Sequence, residues 1–156
     1  MSKGRREAVA DWLMLLAAPL LLGSLFLTWS HQLSVSLLAR DGGTAILQGV
    51  PRDPTAWQVY STADVLLALL AVGLVAAALR GGRPARLVLM ALLGVALAFT
   101  AHALSVPPTN GATVFDPGAS PPADVANAPA AGPGVTVALI ALAMGIAGVL
   151  LSLTTD

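Results

Sequence analysis

Three side chains in this sequence combine types and spacing that can do chemistry: Asp64, His102 and His31. Asp64 opens one long apolar run and His102 closes the next, and the two runs are joined by the short turn Gly81-Gly82-Arg83-Pro84. An antiparallel hairpin centred near Arg83 places Asp64 and His102 at equal depth, with His31 just above them. Histidine titrates near neutral pH, and a neighbouring carboxylate fixes its tautomer, so the group has the makings of a proton-handling or metal-binding site. An ionisable side chain at membrane depth is itself a candidate functional site. A structural reading competes with this one. Ser61-Thr62-Ala63-Asp64 is close to a capping box with Asp in place of Glu, favourable to the helix dipole, which leaves His102 as an interfacial residue bonded to a loop carbonyl. Two histidines and one aspartate match no metal-ligand spacing, so no metal and no cofactor are expected, and the structural role is the stronger expectation.

Other chemistry is scarce. With no cysteine there is no thiolate nucleophile, disulfide or zinc–thiolate site. The sequence has no phosphate-binding glycine loop, no Gly-x-Ser-x-Gly and no His-Glu-x-x-His, so no catalytic residue is assigned and an enzyme is not expected. Ser24 and Thr28 stand in an apolar run without a nearby base and are expected to hydrogen-bond back to their own helix. Charged residues make up 10% of the 156 residues and the formal net charge is zero, which excludes the basic stripe of a nucleic-acid partner.

The elements that hold these residues follow from composition. The hydrophobic fraction is 56% and the mean hydropathy +0.82, well outside the balance of a water-soluble domain. Four runs approach the roughly 20 residues needed to cross a bilayer: about 12–30, 63–79, 85–106 and 135–153. Continuous apolar runs are not barrel strands, so each is read as a helix. The fold class is therefore an all-α membrane protein, a four-helix transmembrane bundle in a single domain over 1–156. Lys3, Arg5 and Arg6 precede the first run and Arg80, Arg83 and Arg86 cluster in the second connection, while Arg40 and Arg52 are the bases left for the other two. The positive-inside rule then places both termini in the cytoplasm of a bacterial cytoplasmic membrane. Trp12 falls at the inner boundary, and Trp29, Trp57 and Tyr60 are expected in an aromatic belt at the outer one. The first run is longer than a signal-peptide core and no small-x-small site follows it, so it is read as an anchor, bent at Pro19.

The two outer connections differ in kind. Over 31–62, Leu33, Val35 and Leu37 alternate with Ser34 and Ser36, Asp41-Gly42-Gly43 supplies turn chemistry, and 44–50 reads as a return strand. An extracytoplasmic β-hairpin in this first outer loop is expected, packed on the bundle or a partner because a lone hairpin is marginal. Over 107–133, seven prolines stand among Gly, Ala and Ser, which predicts a flexible, partly polyproline-like tether.

Between the middle helices a seam of small residues is expected. Helical steps from Asp64 give Ala68, Ala71, Val75 and Ala78, and steps back from His102 give Ala98, Val95, Ala91 and Val88, each at the depth of its opposite number. Small residues permit close approach of helices in lipid. The last run offers Ala141, Gly145 and Gly148 as a further small face.

Trp57-Gln58 followed by Asp64-Val65-Leu66-Leu67-Ala68-Leu69-Leu70-Ala71, after a first helix ending in Phe26-Leu27-Thr28-Trp29, resembles small four-span membrane proteins of high-GC bacteria, actinobacteria above all. That resemblance implies no activity and no site residues. In plan (four helices, a β-bearing first outer loop and cytoplasmic termini) the chain also resembles claudin and peripheral-myelin-type proteins, although it lacks the paired cysteines and Gly-Leu-Trp motif of claudins. The resulting expectation is a non-enzymatic structural or accessory protein that contacts the bilayer and another membrane protein or further copies of itself. The alternative is an oligomeric small-solute or proton transporter.

Overall fold

A computed structural model describes residues 3–31, 53–107 and 130–154. Four long helices dominate: α1 (Lys3–Ser24), α3 (Ser61–Arg80), α4 (Arg83–Ser105) and α5 (Pro133–Leu153), with a short α2 (Ala56–Val59) leading into α3. All four long helices are long and apolar enough to cross a membrane. The chain is thus a multi-pass helical membrane protein, as its composition requires.

Local chemistry sets the boundaries. Gly82 and Gly132 are the extended N-caps of α4 and α5, and proline follows inside the first turn of each helix, where its missing N–H costs nothing. Gly81 ends α3, its N–H donating to the Ala77 carbonyl at 3.0 Å. The first helix departs from the expected 12–30. It begins in the polar segment at Lys3 and stops at Ser24, because nothing in Lys3–Asp11 breaks a helix and because Ser24 and Trp29 close its far end. The Ser24 hydroxyl bonds back to the Leu21 carbonyl at 2.6 Å, and the Trp29 indole N–H donates to the Ser24 carbonyl at 2.8 Å.

Around the bundle the helices run α3, α1, α5, α4. The broadest packing is between α1 and α5, followed by α1 with α3 and α4 with α5. Glycines let α5 approach. A side chain on Gly148 would meet the Ala10 carbonyl oxygen at 3.0 Å and Met14 at 2.9 Å, and one on Gly145 would meet Leu74 at 3.2 Å. Ala141, Gly145 and Gly148 are all buried, forming the small face read from the sequence.

The expected seam between the middle helices is displaced. On α3, Ala71 is buried and Ala68, Val75 and Ala78 are partly buried against the core, but the main inward line is Leu67, Leu70, Leu74 and Ala77. On α4, Val88, Ala91, Val95 and Ala98 face outward, and Leu89, Leu93, Thr100 and Ala103 are buried instead. The α4 stripe is rotated by one residue, about 100°. The physical reason is that larger apolar side chains gain more contact in the core, and α5 supplies the small surface that accepts them. Consequently α3 and α4, neighbours in sequence, share little contact, and only 22% of the α4 span is buried against 44% of α5.

The strands among the described residues are β1 (Ser30–His31) and β2 (Ala130–Ala131), antiparallel, pairing Ser30 with Ala131 and His31 with Ala130. This small sheet joins the two long connections to each other. The hairpin read at Leu33–Leu37 and 44–50, and most of the proline-rich segment, lie outside the described residues.

Candidate functional site

The polar groups singled out in the sequence gather at the end of the bundle away from the termini, called here the loop end. Its centre is Trp29. The first helix ends five residues earlier, and the chain turns so that the Trp29 ring enters the bundle, fully buried, where its N–H finds the Ser24 carbonyl. Trp29 is therefore a core plug and not the boundary anchor expected of it. Trp57 and Trp12, by contrast, keep exposed faces, at 39% and 64%.

The backbone around Trp29 ties the stems of both long connections together. The Trp29 N–H donates to the Pro54 carbonyl at 2.9 Å, the Gly132 N–H to the Trp29 carbonyl at 2.9 Å, and the Gly134 N–H to the Thr28 carbonyl at 2.8 Å. Thr28 also bridges to Thr55. These bonds satisfy groups that neither helix could satisfy alone. Thr55 caps α2, and its N–H donates to Gln58 Oε1 at 3.1 Å. Thr55-Ala56-Trp57-Gln58 is thus the capping box of this region, a Thr-x-x-Gln signal that was present in the sequence and attributed to Ser61–Asp64 instead.

Asp64 lies one turn below Tyr60 on α3 and is fully buried. Both carboxylate oxygens lack a hydrogen-bond partner among the described residues, as does the buried hydroxyl of Ser30. Asp64 therefore does not close a capping box. Edge-on aromatic contacts run above it: Trp29 to Tyr60 with ring centroids 5.9 Å apart, and Tyr60 to Phe99 at 5.1 Å. Burial pushes the Tyr60 phenol above its ordinary pKa, and the charge of Asp64 adds to the effect.

The structure does not assemble the expected trio. His102 is exposed near the end of α4 and makes no hydrogen bond to Asp64, because the one-residue rotation of α4 turns Thr100 and Ala103 inward in its place. His31 pairs with Asp53, its Nδ1–H donating to Oδ1 at 2.6 Å, a partner the sequence reading missed because 22 residues separate the two. Both groups are nearly half exposed, so the pair acts as a surface clip between β1 and the turn before Pro54. No cluster of three or more metal-ligating side chains occurs among the described residues.

No family model matches the chain. Neither a curated protein nor a solved structure matches it.

Proposed function

We propose that this chain is a non-enzymatic structural or accessory protein of the bacterial cytoplasmic membrane, with both termini in the cytoplasm, that holds its two long extracytoplasmic connections in a fixed pair for a protein partner. One observation carries the reading: β1–β2 and the Trp29 backbone bonds pin both stems of segment 32–52 to the stem that follows segment 108–129. Pinned stems fix where the two segments leave the bundle, so a single partner that contacts both meets them at one place. In sequence, Leu33, Val35 and Leu37 alternate with Ser34 and Ser36, the pattern from which an apolar contact face is expected.

The test is quantitative capture from native membranes, with the partner identified by mass. Leu33→Ser, Val35→Ser and Leu37→Ser together should abolish capture while membrane insertion is retained. Undiminished capture would remove the reading.

A second reading, an oligomeric path for a proton or small solute, is favoured by the unpartnered carboxyl of Asp64. Its test is flux in proteoliposomes for the parent and Asp64→Asn. Equal or absent flux in both would dismiss it.

A further inference from the structure

The sparse packing of α3 against α4 leaves a slot of about 440 Å³ that opens sideways from the bundle. Ala63, Leu70 and Gly73 line it from α3, and Leu89, Ala96 and Phe99 line it from α4. The lining is almost wholly apolar, and the flanking Leu66, Leu92 and Val95 are more than half exposed. From Ala63 to Gly73 the slot extends about 15 Å at 1.5 Å per residue, half the roughly 30 Å hydrocarbon thickness and so the depth of one leaflet.

We propose that this slot holds one acyl chain of a bilayer phospholipid, taken from the leaflet at the loop end. The dimensions select the occupant. A helix about 10 Å across would need on the order of 1,200 Å³ over that length, nearly three times what the slot holds, so it rests on the mouth without entering, whereas an extended hydrocarbon chain is thin enough to enter. The setting selects it as well. No water is available beside a membrane span to fill an apolar gap, and an empty one forfeits dispersion contacts on both walls. The small residues Ala63, Gly73 and Ala96 keep the slot open. Along α4 the stripe continues one turn past Phe99 to the exposed His102, and Thr62, also exposed, precedes Ala63 on α3. Both offer hydrogen-bond donors at the level where the headgroup of a chain inserted from this end arrives.

The proposal is tested with the full chain in phosphatidylcholine vesicles that contain a trace of phosphatidylcholine carrying a photoactivatable diazirine on one acyl chain. After irradiation, adducts should concentrate severalfold on peptides covering 63–73 and 89–99 over the lipid-facing parts of α1 and α5. Ala96→Phe, which fills the slot, should remove that excess, while Ile140→Phe on the exposed face of α5 should not. Native mass spectrometry of the unmodified protein supplies a check that needs no variant: one phospholipid should survive detergent exchange. Adducts spread evenly over all four helices would overturn the proposal, as would a lipid-free dimer in the native mass spectrum that Ala96→Phe breaks, or a protein that keeps no lipid.

Discussion

The indole of Trp29 occupies the space that a side chain at position 134 would need: a Cβ on Gly134 would lie 2.5 Å from Trp29 Cδ1. A Cβ on Gly132 would fall against the backbone carbonyl of Thr28, which has less freedom to move than a ring. Gly132→Ala and Gly134→Ala are therefore expected to destabilise the bundle by about 1–3 kcal/mol, with Gly132→Ala the worse. Gly23 and Gly94 are helical positions with nothing within 4 Å of an added Cβ. Alanine there is expected to be neutral or to stabilise by up to about 1 kcal/mol. Thermal unfolding of all four variants in one detergent checks the order, and a fall for Gly94→Ala as large as that for Gly132→Ala would refute the space argument.

Tyr60 is the single tyrosine of the chain, so the alkaline ultraviolet difference spectrum of the folded protein reports on it alone. Burial raises its pKa, and the negative charge of Asp64 raises it further. The phenol should ionise at higher pH than free tyrosine. Asp64→Asn should bring its midpoint down without returning it to the free value, because burial is the larger cause. A midpoint unmoved by Asp64→Asn would show that the two groups do not sense each other.

The spans were legible because hydrophobic runs bounded by Gly, Pro and Arg need no tertiary information. The turn at Gly81-Gly82 and the proline starts of α4 and α5 belong to the same class of signal. The rotation of α4 was not legible. Apolar residues are so continuous between 85 and 101 that the small stripe 88/91/95/98 and the larger 89/93/96/100 both run at helical spacing, and the choice depends on what α5 presents across the bundle. The role of Trp29 was hidden for a similar reason. Tryptophan at the end of an apolar run suits a membrane boundary, and only the early helix end lets the Ser24 carbonyl, which also accepts the Leu27 N–H, take the indole and draw the ring inward. Asp53 escaped notice as a partner of His31 because no local pattern links residues at the two ends of one long connection.

The clip between His31 and Asp53 should contribute little. Both side chains are nearly half exposed, and pairs of that kind contribute roughly 0–1 kcal/mol. His31→Ala is expected to lower stability by less than about 1 kcal/mol, and by less still in high salt. A thermal series at low and high salt checks this. A loss several times larger would mean that the histidine holds the stem of β1 through more than its carboxylate contact.

Asp64 separates a structural from a functional origin for the polar end of the bundle. Its carboxyl is fully buried and bonded to nothing among the described residues. An unpartnered buried polar group costs the fold about 1–3 kcal/mol, and more when charged. Leucine has the same branching at Cγ and no such cost, so Asp64→Leu is expected to leave the thermal midpoint unchanged or to raise it by several degrees. A carboxyl serving as a helix cap or an ion-pair partner would give the opposite sign, because its removal would strand the donor it satisfies. Measuring that midpoint beside proteoliposome flux gives the two results different meanings. A more stable variant with flux lost would assign Asp64 to a path through an oligomer, where a destabilising residue persists for its chemistry. A less stable variant would show that the carboxyl is held by a group supplied from outside the described residues or from a neighbouring molecule.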